Sequence, residues 1–116
     1  MKKLALLAIP AAFALALTTN AFAADGKAVY ADNCAKCHGD DGKGATKMGQ
    51  KLGAKDFTDA KVQADIKDEA AIKAIKEGVK DADGKTKMKA FVTGADTPLS
   101  DDDVKALVAY VRGLKK

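Results

Sequence analysis

Three reactive side chains lie within five positions of one another, in the stretch NCAKCHGDDGKG from Asn33 to Gly44. Cys34 and Cys37 are the two cysteines of the chain, and His38, its single histidine, follows directly. Two thiols and an imidazole at this spacing suit three kinds of chemistry: a redox-active disulfide, part of a zinc site, or covalent attachment of haem.

The first two kinds of chemistry need partners that the sequence does not supply. A redox-active Cys-x-x-Cys lies at a helix start in a βαβ unit, whereas here a predicted helix precedes the motif and no strand does. A structural zinc site needs four Cys or His ligands, and the chain has three such residues. The adjacent Cys37 and His38 would also have difficulty pointing at the same ion.

Covalent haem accounts for all three residues. The thiols of Cys34 and Cys37 add across the two vinyl groups on one side of the porphyrin, so their spacing must match that edge. His38 is then held beside the ring and can reach the iron from one face. The motif therefore predicts one covalently bound haem c, attached through Cys34 and Cys37, with His38 as an axial ligand of the iron.

The N-terminus has the pattern of a secretory signal peptide. Two lysines precede an apolar run from Leu4 to Leu17, and Ala21-Phe22-Ala23 places small residues where a signal peptidase acts. The apolar run has about 14 residues, fewer than the roughly 20 that span a membrane. We expect residues 1–23 to be a cleaved signal peptide and residues 24–116 to be one monohaem domain in the bacterial periplasm, without stable membrane insertion.

The composition of residues 24–116 narrows the possible functions. Without the two signal lysines, 18 basic and 16 acidic residues remain, a net charge of +2 against +4 for the whole chain. With this near balance and no basic helix, nucleic-acid binding is not indicated. Four aromatic residues and no Trp give a small domain little core of its own, so the cofactor is expected to fill part of it.

Four segments have the sequence pattern of helices that would position this motif. They run from Asp25 to Asn33, Thr58 to Asp65, Asp68 to Val79 and Ser100 to Lys116. Asp25 can cap the first helix, and Ser100 with Asp103 can form a capping box at the start of the last. Gly78 is a stop signal near the end of the third.

Two glycine-rich stretches, Gly39–Gly53 and Asp81–Pro98, separate these segments and are predicted to be loops. No alternating apolar run is long enough to predict a sheet. Such long loops are unusual in a compact domain unless they have a function, and wrapping around a large flat cofactor would provide one. The fold class predicted is all-α, with about four helices and long loops around one covalently attached haem.

The order of these features resembles that of the class I c-type cytochromes over most of residues 24–116. The matching features are a first helix with Gly26 and Tyr30, the Cys-x-x-Cys-His motif, Ile75-x-x-Gly78, Met88 followed by Phe91, and a closing helix with Leu-Ser-Asp and Tyr110-Val111. The resemblance implies the cytochrome c fold, in which the first and last helices cross, bringing Gly26 and Tyr30 near Tyr110. It also implies one-electron transfer between redox partners.

The second axial ligand of the iron is expected to be a methionine, because His with a thioether is the usual pair in such electron carriers. The candidates in residues 24–116 are Met48 and Met88. Met88 lies 50 residues after His38, enough chain to reach the opposite face of the ring, and the resemblance implies it. Met48, a lysine, or an open sixth position are the alternatives.

The sequence departs from many of these cytochromes at two places. Lys89 stands where many have proline after the methionine, which predicts a more mobile distal loop. Residues 44–53 contain no Gly-Pro, whose carbonyl helps to orient the histidine in many members. Another backbone carbonyl is therefore expected to accept from the non-ligating nitrogen of His38.

Lysines near the motif and near Met88 suggest how the protein meets its partners. They are Lys36, Lys43, Lys47, Lys51, Lys55, Lys85, Lys87 and Lys89. They are either ordinary solvated lysines or a positive rim around the haem edge that steers an acidic redox partner. The protein is expected to be a monomer.

Three functions share the haem motif. The predicted one is a periplasmic one-electron carrier, not an enzyme. A haem-based ligand sensor or peroxidase-like protein would need a labile sixth ligand and polar distal groups, but residues 24–116 hold no second histidine and one arginine, Arg112. A haem module of a larger membrane complex would use the same residues and differ in its partner.

Overall fold

The computed structural model describes residues 25–116, so the predicted signal peptide, residues 1–23, lies outside the described residues. The helices are α1 Gly26–Asn33, α2 Ala35–His38, α3 Lys47–Leu52, α4 Ala60–Asp65, α5 Asp68–Glu77 and α6 Asp101–Arg112. The strands are β1 Val79–Lys80 and β2 Thr86–Met88. This mostly helical architecture confirms the predicted all-α class. None of the helices in this range combines the length and apolar character that a membrane span requires.

The caps predicted for the first and last helices are present. The carboxylate of Asp25 accepts hydrogen bonds from the backbone N–H of Lys27 and Ala28, at 3.1 and 3.4 Å. At α6, the Ser100 hydroxyl accepts from the N–H of Asp103 at 3.0 Å, and the Asp103 carboxylate accepts from the N–H of Ser100 at 3.1 Å. Both helices start at these positions because the caps satisfy otherwise unpaired N–H groups.

Helices α1 and α6 cross at Gly26, as predicted. A Cβ at Gly26 would lie 2.9 Å from the carbonyl carbon of Ala106 and 3.0 Å from Cβ of Tyr110. The rings of Tyr30 and Tyr110 pack beside this contact, with centroids 5.0 Å apart at an interplanar angle of 50°. The close approach therefore requires glycine at position 26.

The core sits around this crossing and is small. The buried hydrophobic residues of the described range are Tyr30, Cys34, Ile75, Phe91, Val104 and Leu107. Helix α5 contributes Ile75, and the segment after β2 contributes Phe91. Met88 packs against this cluster and is half-buried. The attachment cysteine Cys34 and the candidate ligand Met88 thus meet one apolar core.

The two predicted loops contain structure that was not predicted. Helix α3 lies within the first: the Thr46 hydroxyl accepts from the N–H of Gly49 at 2.9 Å, and Gly53 ends the helix in a left-handed conformation with φ +75°. With six residues and a glycine inside it, α3 has no apolar periodicity to detect. The fourth helix, α4, starts at Ala60 and is capped by Asp59, not by the first residue of the predicted segment, Thr58.

A hairpin connects α5 to the second predicted loop. The third helix was predicted to reach Val79, but α5 ends at Glu77, because Gly78 adopts φ +78°, and Val79 lies in β1. Strands β1 and β2 are antiparallel, with Val79 opposite Met88 and Lys80 opposite Thr86. In the turn, the Asp81 carboxylate accepts from the N–H groups of Asp83 and Lys85, both at 2.9 Å. Strands of two and three residues are too short for an alternating pattern. The hairpin places Met88 at the end of a strand instead of within a loop.

Candidate functional site

The attachment motif is a single helical turn. Cys34 precedes α2, and its carbonyl accepts from the N–H groups of Cys37 and His38, at 3.2 and 2.9 Å. Residues three and four apart are neighbours on the surface of a helical turn, so Cys37 and His38 each lie near Cys34. Both cysteines are free thiols, Cys34 buried and Cys37 half-buried, and both are available for bonds to another group.

The chemistry of this turn does not suit the two alternatives to haem. Burial raises the pKa of the Cys34 thiol to about 11, and the nearby Cys37 adds to the shift. A redox-active disulfide needs a thiol with a lowered pKa. In addition, residues 25–116 contain no group of three or more His, Cys, Asp or Glu side chains that could hold a metal ion by themselves.

His38 is half-buried, and its Nδ1 atom makes no hydrogen bond to the described residues. This atom is buried and has no partner among residues 25–116, so the expected backbone acceptor is not found there. The ring stacks on Phe57, with centroids 4.7 Å apart at 27°. Burial also lowers the pKa of His38, which favours the neutral form that binds metals. A neutral imidazole can bind a haem iron through one ring nitrogen, so His38 fits this role, with its Nδ1 left without a hydrogen bond to the described residues.

Three contacts fix the backbone around the motif. The Tyr30 hydroxyl donates to the carbonyl of Gly39 at 2.7 Å, and the Thr46 hydroxyl donates to the carbonyl of Cys37 at 2.6 Å. Gly49 lies directly against the same Cys37 carbonyl, where a side chain would collide. Thr46 and Gly49 were not anticipated from the sequence, since both act through an unpredicted helix, α3.

Met88 is held in position through its backbone. Gly78 ends α5 with φ +78°, and a Cβ there would lie 2.6 Å from the carbonyl oxygen of Met88. Beyond Met88, the N–H of Phe91 donates to the carbonyl of Ile75 at 2.9 Å, and further bonds follow from the next residues to α5. The backbone after Met88 is therefore anchored to α5, although Lys89 replaces the proline found in many related cytochromes.

A cavity of about 670 Å³ lies beside Met88. Its lining starts at Asn33, the residue before Cys34, and includes the hairpin and the segment from Lys89 to Thr97. Of the predicted site residues, Met88 alone lines it. Met88 and Cys34 are connected through the apolar core, whereas no direct contact joins Met88 to His38 among the contacts described.

A second polar network lies at the far end of α6. The Arg112 guanidinium donates to the carbonyl of Gln63 at 2.6 Å, to the side-chain oxygen of Gln63 at 3.0 Å and to the carboxylate of Asp68 at 2.7 Å. The Gln63 amide donates to the carbonyls of Phe57 and Val111, at 2.6 and 2.8 Å. Gln63 is buried and was not anticipated, because a lone glutamine gives no sequence signal.

The model for the family described as Cytochrome c matches residues 23–115. The chain belongs to the cytochrome c family. Among solved structures, this cytochrome is similar to the KustC0563 c-type cytochrome, with 41% identity, a TM-score of 0.65, and coverage of 79% of this chain and 99% of that one. A tyrosine-to-phenylalanine mutant of Kustc0563 is 40% identical with a TM-score of 0.63, covering 78% of this chain and 99% of that one. No curated protein sequence matched.

Family membership confirms three of the predictions made from the sequence. The fold is the all-α cytochrome c fold, the cofactor is covalent haem c with its iron, and the protein is a haem-based electron carrier. Cys34 and Cys37 are present and, with His38, form a Cys-x-x-Cys-His sequence that is consistent with an attachment site. Redox partner proteins follow from this class of protein in general.

Proposed function

We propose that this cytochrome is a periplasmic one-electron carrier in which Cys34 and Cys37 attach the haem and His38 and Met88 are the axial ligands of its iron. One observation carries the proposal: His38, half-buried and with its ring stacked on Phe57, directly follows two free thiols, Cys34 and Cys37. Each of the three groups then has a bond to make with the same cofactor.

The chain would support electron transfer by holding the two proposed iron ligands, His38 and Met88, in fixed positions. When bound, haem c supplies an iron that accepts and releases one electron. If His38 and Met88 both bound the iron, it would have no open coordination position, so no ligand bond would have to form or break. Met88 rests against the apolar core, which gives the low local dielectric that tunes such a site.

Met88 is a better candidate than Met48 because of its surroundings. Met88 is half-buried against the core and clamped by the backbone of Gly78. Met48 lies on α3 with 42% of its surface exposed, and α3 packs beside the attachment turn. A ligand from the opposite side of the haem has to come from another part of the chain, and the strand that carries Met88 is such a part.

The alternative of a haem enzyme or sensor finds little support. A polar distal group would favour it, but the guanidinium of Arg112 is already committed to Gln63, Ile66 and Asp68. Periplasmic location rests on the signal-peptide pattern of residues 1–23. The eight lysines named above form the proposed docking rim, and neither of the two salt bridges within residues 25–116 involves any of them.

The test is a spectrum of the full chain expressed with its signal peptide and purified from a periplasmic extract. We expect a processed protein starting at Ala24 by mass spectrometry, one covalent haem, and a soluble monomer. The ferric form should show the Met-to-iron absorption band, and the low-spin ferrous form should not bind carbon monoxide. A high-spin ferric form that binds carbon monoxide rapidly would favour the sensor or enzyme instead.

Two matched variants test the axial ligand. Met88→Ala should lose the Met-to-iron band, lower the reduction potential and open the iron to carbon monoxide, because the thioether is removed. Met48→Ala removes the same group from an exposed position and should leave all three properties unchanged. Loss of the band in Met48→Ala but not in Met88→Ala would overturn the assignment.

A further inference from the structure

The ring of Phe57 covers one face of the imidazole of His38. The two rings are nearly parallel, 27° apart, and their centroids are separated by 4.7 Å. The Nδ1 atom of this imidazole is buried without a hydrogen-bond partner among residues 25–116. An apolar ring therefore covers one face of the imidazole, and Nδ1 at the ring edge has no polar acceptor among these residues.

The position of Phe57 is itself fixed at both backbone groups. Its N–H donates to the carbonyl of Gly42 at 2.8 Å, and its carbonyl accepts from the side-chain amide of Gln63 at 2.6 Å. Gln63 is only 6% exposed, and the same amide nitrogen donates to Val111 of α6 at 2.8 Å. Arg112 in turn donates to the side-chain oxygen of Gln63 at 3.0 Å. The phenyl ring is thus attached to a rigid network that reaches α6.

An imidazole bound to a metal can still rotate about the metal–nitrogen bond, and a hydrogen bond from its second nitrogen usually stops this rotation. No such bond is made by Nδ1 to the described residues. A stacked aromatic ring restricts the same rotation, because turning the imidazole out of the parallel arrangement loses the contact between the two faces.

We propose that Phe57 is a positioning residue for His38, which sets the plane of the axial imidazole by stacking in place of a hydrogen bond. This inference rests on the proposed role of His38 as a ligand of the haem iron. Gln63 positions His38 indirectly, because its side-chain amide donates a hydrogen bond to the backbone carbonyl of Phe57. The orientation of the imidazole plane determines how the iron orbitals split, so the ferric spectrum reports it directly.

The experiment uses the purified holoprotein and three variants. Phe57→Leu keeps an apolar side chain but removes the aromatic face, Phe57→Tyr keeps the face, and Gln63→Leu removes the bond to the Phe57 carbonyl. The readouts are the electron paramagnetic resonance g values of the low-spin ferric form, the hyperfine-shifted proton resonances of the His38 ring, and the reduction potential. Thermal unfolding is recorded separately to follow structural damage.

We expect Phe57→Leu to shift the largest g value, move the His38 resonances and change the potential, with Phe57→Tyr restoring wild-type values. Gln63→Leu should shift the same signals in the same direction and by less. If Phe57→Leu lowers the unfolding temperature but leaves the g values and resonances unchanged, or if Phe57→Tyr shifts them as far as Phe57→Leu does, the positioning role is overturned. Failure of the proposed function is a distinct result, because wild-type protein itself would then lack the resonances of an iron-bound histidine.

Discussion

The hydroxyl of Tyr30 donates a 2.7 Å hydrogen bond to the carbonyl of Gly39, the residue that directly follows the attachment motif. Tyr30 is 2% exposed, and its ring also packs on Tyr110 of α6. One side chain thus joins the crossing of α1 and α6 to the end of the turn that carries His38. Packing between α1 and α6 therefore helps to fix the backbone next to His38, the proposed axial ligand.

Replacing Tyr30 with phenylalanine should lower the free energy of unfolding by about 1 kcal/mol, the usual value for one hydrogen bond. The loss stays near this value because the N–H of Gly42 still donates to the Gly39 carbonyl at 3.1 Å. Denaturant unfolding of the holoprotein measures the change. Tyr110→Phe is the control, since its hydroxyl makes no hydrogen bond among those described, and an equal loss there would contradict the assignment.

Replacing Gly78 with alanine should displace Met88. The added Cβ would lie 2.6 Å from the carbonyl oxygen of Met88, so the strand has to move, at a cost of about 1–3 kcal/mol. Gly84→Ala has a similar backbone angle, with φ +80° and no atom within 4 Å, and should cost about 1 kcal/mol from backbone strain alone. The Met-to-iron band should weaken in Gly78→Ala but not in Gly84→Ala. Bands of equal strength in the two variants would contradict the idea that contact with Gly78 positions Met88.

Without covalently attached haem, the protein should not fold. Residues 25–116 bury six hydrophobic side chains, so we expect the cofactor to complete the core. A protein with alanine at both Cys34 and Cys37 should fail to accumulate in the periplasm and show little helical circular dichroism. Cys34→Ala alone keeps one attachment point and should give an intermediate yield. A folded, helical apoprotein would show that haem is not needed for the core.

The lysine rim predicts that oxidation of the reduced protein depends on salt. Ferricyanide, an anion, should react more slowly as ionic strength rises, and the cationic oxidant tris(1,10-phenanthroline)cobalt(III) should react faster. Lys47→Glu, at an exposed position of α3, should slow the ferricyanide reaction severalfold at low salt, whereas Lys105→Glu on α6 makes the same charge change at a lysine that is not one of the eight. Stopped-flow rates that do not vary with ionic strength would contradict the proposal that these lysines steer redox partners.

Local signals predicted where α1 and α6 start, and the resemblance predicted that these two helices cross. Asp25 and Ser100 cap their helices with side chains a few residues away, so the sequence alone carries that information. Gln63 could not be found this way, because the carbonyls that it binds belong to Phe57 and Val111, and Val111 lies 48 positions further along the chain. The hairpin is local in sequence, but it was not predicted because strands of two and three residues are too short to show an alternating apolar pattern.

The contact between Gly26 and Ala106 closes a loop of roughly 80 residues, which carries a large entropic cost before any packing repays it. Contacts this distant in sequence slow folding, because the entropy of loop closure must be overcome before they stabilise the chain. Cys34 belongs to the core cluster that also contains Val104 and Leu107 of α6. We therefore expect the thiols to be accessible to the attachment machinery while the chain is still open, and α6 to dock after the haem is in place.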